Sequence, residues 1–172
     1  MDNILKEIIN NAQSAEQKKY EKALLDLRLI IERHTQNRYS DKEKNNYLLL
    51  FYDKNLINYR LHAEDLDEIK YFLFFVLFNF PDRAVLVAKC IKVLFDKNIR
   101  EAICAAIEIY LKKGDDDTTC ELIFAITNVG DEKNYLSNKR IIDLFILVSK
   151  FGGEYSKEAA KVELKYYNDH YQ

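Results

Sequence analysis

Apolar positions recur at helical spacing almost from the start of the chain. Ile4, Leu5, Ile8, Ile9 and Ala12 share one face of a segment that opens at Asp2, whose short carboxylate suits an N-cap. Ser14-Ala15-Glu16-Gln17 has the spacing of a capping box: the serine oxygen can accept from the third helical N–H while Gln17 reaches back. It opens a longer helix with Tyr20, Leu24, Leu27, Ile30, Ile31 and His34 at helical intervals and polar residues opposite. Residues 35–38 break the pattern. Residues 41–62 carry two apolar runs, 47–52 and 56–61, on either side of Asp53-Lys54-Asn55. Helix–turn–helix fits this stretch, and so does a hairpin, because Tyr and Ile also favour strands. The helical neighbours favour the first.

From Asp65 the punctuation sharpens. Asp65 and Glu68 form a D-x-x-E start for a helix with Leu66, Ile69, Phe72, Leu73, Val76 and Leu77, which stops before Pro81. Its apolar run, 71–78, is too short for a bilayer core, which needs about 20 residues, so the expectation is a helix buried on all sides. A new helix is expected near Pro81-Asp82, with Val85, Ala88, Ile91, Val93, Leu94 and Phe95. Asn98 and Glu101 suggest a further capping box, leading through Ala102, Ile103, Ala106, Ile107 and Tyr110 to Gly114 as a C′ cap. The acidic residues 115–117 feed a helix with Leu122, Ile123, Ala125 and Ile126 that closes at Gly130. Ser137 or Asn138 opens the next, with Ile141, Ile142, Phe145, Val148 and Phe151 before Gly152-Gly153. Ser156 opens the last, through Ala159, Ala160, Val162, Leu164 and Tyr167.

Composition agrees with an all-α chain. Four glycines and one proline in 172 residues leave too little turn chemistry for an all-β domain. Apolar residues at 48% and charged residues at 31% give a globular balance, not a disordered one. The length suits one domain, 1–172, with N-terminal helices over 1–62 as a cap and helix pairs over 65–170. Net charge is −2, without the basic excess that nucleic-acid binders use to displace counterions from phosphates. Cys90, Cys104 and Cys120 are odd in number, widely spaced and set among apolar residues, which reads as reduced core thiols in a reducing compartment. The charged N-terminal residues do not form a signal peptide, and the expectation is a cytoplasmic location without membrane contact.

The second half repeats its punctuation. Asn98 and Asn138, and Arg100 and Arg140, lie 40 residues apart, and Gly114 and Gly152 lie 38 apart. Two-helix units of about 40 residues match the period of HEAT and armadillo arrays. The stretch Asp96-Lys97-Asn98-Ile99-Arg100-Glu101-Ala102-Ile103-Cys104-Ala105-Ala106 resembles the turn and second-helix start of a HEAT repeat. The copy at Lys139-Arg140 departs from it, with lysine at the β-branched position, bulky Ile142 for alanine, and no aspartate three residues before Lys139. The resemblance covers about 65–170. It implies a short right-handed α-solenoid of antiparallel helix pairs, with a closed helical bundle as the alternative. By resemblance, Ile99 faces the core, Arg100 pairs with a turn acid such as Asp96, and 99–113 and 139–151 are the second helices lining a concave surface.

Candidate chemistry is sparse. His34, His62 and His170 are isolated from one another, and there is no HExxH or CxxC pair for zinc. P-loop, GxGxxG and GxSxG motifs are absent, and the glycines follow helices instead of strands. No catalytic residue, cofactor or metal is assigned. Asp115, Asp116 and Asp117 form the densest charge run. It suits a helix dipole, or a docking site for a basic partner. Twelve tyrosines supply amphipathic contact area, and Tyr110 and Tyr155 join the three aspartates as candidate partner-binding residues. The expected function is a non-enzymatic protein-binding module. A concrete form is a bacterial immunity protein that neutralises a basic toxin, by fold-level analogy. The alternatives are a HEAT-like protein gripping nucleic-acid backbone and an unrecognised enzyme.

Overall fold

In the computed structural model the described residues are 2–35, 56, 59–128 and 133–171. Among them the regular structure is entirely helical. The chain divides into two compact units, Met1–Leu94 and Phe95–Gln172. The division falls at 94/95, thirty residues after the change in sequence character at 62–65. The choice between helices and a hairpin over 41–62 lies outside the described residues, apart from Leu56 and 59–62. Gly130, expected to close a helix, lies outside them too.

Among its described residues the first unit contains four helices: α1 (Asn3–Ala12), α2 (Gln17–Thr35), α3 (Ala63–Asn79) and α4 (Ala84–Lys92). Asp2 caps α1, its carboxylate accepting from Leu5 N at 3.0 Å. The expected stripe of Leu5, Ile8, Ile9 and Ala12 is buried and packs on α2. Burying each large aliphatic side chain stabilises the unit by about 1.5–3 kcal/mol. The start of α2 differs from a capping box. The Ser14 hydroxyl accepts from Glu16 N, two residues on, and the Gln17 amide points forward to Glu21 at 2.7 Å. The helix therefore begins at Gln17, and its side chain is used along the helix instead of back across the cap.

α2 packs on α4, and α4 on α3. The Cys90 thiol donates to the Leu24 carbonyl at 3.2 Å, and the Thr35 hydroxyl donates to the Val93 carbonyl at 2.8 Å. Pro81–Arg83 forms a 3-10 turn between α3 and α4, as a helix-starting proline allows. Arg83 is buried there. Its guanidinium donates to the Ala12 carbonyl, the last residue of α1, at 2.6 Å, and lies over the rings of Tyr20 and Phe80 at 4.2 and 4.5 Å.

The second unit contains α5 (Arg100–Lys113), α6 (Asp116–Thr127), α7 (Lys139–Phe151) and α8 (Glu154–Tyr171). Gly114 takes the left-handed conformation, φ 71°, that a C′ position requires, and its N–H reaches Leu111 O at 3.1 Å. Two-residue turns join α5 to α6 and α7 to α8, and each joined pair packs together. Across these pairs, α5 packs on α7 and α6 on α8. The resemblance named 99–113 and 139–151 as second helices of their pairs; in the second unit each is joined by a two-residue turn to the helix after it. Ile99 is half-buried. Arg100 donates to the Ile126 carbonyl at 3.2 Å, and its guanidinium lies 5.2 Å from the centre of the Tyr135 ring. Asp96 caps the 3-10 turn Lys97–Ile99 by accepting from Asn98 N at 2.9 Å, so Asn98 sits inside a turn instead of capping a helix.

None of the three cysteines is in a disulfide. Cys90 and Cys104 are buried and Cys120 is half-buried. Burial pushes the Cys90 thiol up to about 12 and the Cys104 thiol up to about 11. The thiolate is the reactive form, so both are inert in the folded chain. With iodoacetamide at mildly alkaline pH, Cys120 should be alkylated first. Cys90 and Cys104 should react only at the rate of unfolding, as read by peptide mass spectrometry.

Candidate interaction surface

The acidic run 115–117 lies at the start of α6, and its three carboxylates have separate fates. Asp115 is the N-cap, accepting from Thr118 N at 3.0 Å and from the Thr118 hydroxyl at 2.8 Å. Asp116 reaches the first turn of α8, accepting from Tyr155 N and Ser156 N at 2.9 Å each. Those N–H groups have no carbonyl to pair with inside their own helix. Burial alone would raise the Asp116 carboxyl, but the Ser156, Tyr155 and Gly153 donors outweigh it and hold the group below its ordinary range. Of the three, only Asp117 is exposed. Asp115 and Asp116, expected as docking acids, spend these oxygens on backbone donors at helix starts. Asp115→Ala should lower stability by about 1 kcal/mol in urea unfolding, the usual cost of losing an N-cap.

Tyr110, the expected aromatic anchor beside the acidic run, lies inside the second unit. It is 1% exposed in the core of the second unit, with Lys113 Nζ 4.6 Å from its ring centre, and it presents no anchor to a partner. Tyr155 is 63% exposed at the head of α8. The structure brings Asp116 to Tyr155 through the backbone, while the tyrosine ring stays in solvent.

The sequence reading missed a larger feature on α3. Ile69, Leu73, Val76 and Leu77 are completely buried, but Tyr71 is 83%, Phe75 46% and Phe78 42% exposed. The helix is therefore not buried on all sides. Its inward face is mainly aliphatic and its outward face is aromatic. The signal was in the chain: Tyr71, Phe75 and Phe78 lie four and then three residues apart, which places them on one side of a helix. Phe74 stacks on Phe78 and Phe75 meets Phe80 edge-on, with ring centres 6.2 and 6.1 Å apart. The same side continues one turn back through Glu68, Asp67 and Glu64, all exposed. Asp67 pairs with Lys70 at 2.9 Å.

The polar clusters of the second unit have internal partners. Arg140 pairs with Glu101 and Glu108, and Glu163 receives Lys133 at 2.9 Å and the Tyr135 hydroxyl. These contacts tie the segment at 133–135 to α8 and α7 to α5. A groove of about 470 Å³ runs along α7 and α8, lined by Leu136, Ile142, Ile146, Leu164 and Tyr167 with Lys139 and Asp143 at its edge. It gathers no set of acids, histidines or nucleophiles.

The histidines are apart. His62 precedes α3, with its backbone N–H bonded to Asp65, and His170 stacks on Tyr166 with ring centres 4.0 Å apart. His34 is exposed in the last turn of α2. Among the described residues no group of three or more His, Cys, Asp or Glu side chains is placed to hold a metal ion. No single helix among them is long and apolar enough to cross a membrane. Comparison with protein-family models, with curated proteins and with solved structures finds no match to this chain.

Proposed function

We propose that the chain is a non-enzymatic protein-binding module whose contact surface is the outer face of α3. The observation that carries this reading is the exposure of Tyr71, Phe75 and Phe78 together on one side of a helix whose other side is fully packed. Contiguous exposed aromatic surface is costly in water, and a partner that covers it recovers the hydrophobic term. Aromatic residues also dominate the energetic centres of protein interfaces. A HEAT-like paired stack is the arrangement we take for the second unit, and its ring of helix contacts fits a closed four-helix bundle equally. Hairpins α5/α6 and α7/α8 lie side by side, α5 on α7 and α6 on α8. A toxin-neutralising immunity protein is the most concrete form of this reading, by analogy of fold alone.

The test is a photo-crosslinking residue placed at Tyr71 of the full chain and irradiated in the source cells. Discrete adducts with another protein are expected at Tyr71 and not at the exposed control position Lys161. A result with no protein adduct at Tyr71 removes the binding reading.

A further inference from the structure

We propose that the outer face of α3 receives a basic amphipathic helix of a partner protein. The proposal rests on the protein-binding reading above and gives that partner its chemistry. The face has two halves. Glu64, Asp67 and Glu68 occupy its first turns, and Tyr71, Phe75 and Phe78 the next two. Together they span about 14 residues, or about 21 Å of helix. This is the pattern of a helix-in-groove or helix-on-helix contact read as anchors at i, i+3, i+4 and i+7. The acidic half determines the sign of the partner. Lys70 borders the acids and pairs with Asp67 at 2.9 Å. Glu64 and Glu68 stand exposed beside it.

Charge and area both disfavour a second copy of the chain as the occupant. A parallel self-pair places acids against acids. An antiparallel self-pair places them against the Phe78 end, where the next exposed charge is Asp82. The three rings leave on the order of 350 Å² open, taking each aromatic side chain at roughly 200 Å². A stable standard-size interface needs about 800 Å² from each partner. A docked basic helix sets cations against the acids, which supplies steering and register. An anionic lipid surface would be repelled by the same acids.

The test is selection of displayed random peptides, long enough for about four helical turns, on the immobilised full chain, with counter-selection on the Tyr71→Gln/Phe75→Gln variant. Peptides that depend on the α3 face are expected to carry a net positive charge with apolar residues at helical spacing. They should bind about tenfold more weakly to the Glu64→Gln/Asp67→Asn/Glu68→Gln variant and at high salt. Tyr71→Gln alone, at the most exposed ring, should fold as the parent does and still weaken binding. The proposal is overturned if face-dependent peptides are neutral or acidic, or if no face-dependent peptide emerges. It is also overturned if the charge variant binds them unchanged, or if sedimentation shows the chain self-associating through this face. Neutral face-dependent peptides together with crosslinks at Tyr71 would remove the basic partner and leave the binding reading standing. Absence of those crosslinks would remove the binding reading itself.

Discussion

Arg83→Ala is expected to lower the stability of the first unit by about 3–4 kcal/mol, the sum of a charged hydrogen bond and desolvated cation–π contacts. Arg83 is only 5% exposed, so its cation is stabilised by the protein and not by water. It donates to the Ala12 carbonyl at the end of α1, one of the groups a helix terminus leaves without a partner. The Tyr20 and Phe80 rings are within 4.5 Å of its guanidinium, and Asp82 lies 3.4 Å from Nε. Truncation removes these contacts together and leaves the carbonyl buried and unpaired. Arg83→Lys keeps the charge but loses the planar group that spans the rings and the carbonyl, and should recover about half of the loss. Hydrogen exchange should show α1 losing protection first. Equal stability of Arg83→Ala and the parent in urea would show that the tie is not made.

Gly153→Ala is expected to cost about 2–4 kcal/mol, through strain and a displaced cap. A Cβ at residue 153 would stand 2.3 Å from Asp116 Cγ and 2.5 Å from Oδ2, so the carboxylate would have to leave the head of α8. Asp116→Ala alone should cost about 1–2 kcal/mol, the value of a cap. The double variant should be less destabilised than the sum, by about 1 kcal/mol, because no carboxylate remains to be displaced. Acid removes the same contribution. The folded Asp116 carboxyl ionises below its ordinary value, so its stabilisation is fully present above the unfolded carboxylate value of about 3.9 and is lost as pH falls through the lower folded value. The gap between parent and Asp116→Ala should therefore be constant at neutral pH and close in strong acid. Strict additivity of the two substitutions would refute the clamp.

Much of the helical layout was legible because local signals coincide with it. Gly114 stops α5, Asn138 caps α7 and Pro81 separates α3 from α4, each by backbone chemistry that acts within a few residues. The order of pairing was also present, though in connection length instead of repeat pattern. Two-residue turns at 114–115 and 152–153 force neighbouring helices, whereas the longer 128–138 connection does not. The site was harder to read. Asp116 differs from Asp117 only through a contact forty residues away, which no local pattern encodes. Tyr110 and Tyr155 are both helix tyrosines, and only tertiary packing buries one and exposes the other. The aromatic face of α3 was hidden by an apolar composition that suggests burial on every side, although the segregation of aromatic from aliphatic positions already divided it.

The most direct measurement is co-purification of the tagged full chain from its source cells, comparing the parent with Tyr71→Gln/Phe75→Gln/Phe78→Gln and with Tyr71→Gln alone. Both variants should keep the parent's far-ultraviolet circular dichroism and lose a stoichiometric protein partner. Recovery of the same partner at the same stoichiometry by folded variants would contradict the assignment of the α3 face as the binding surface.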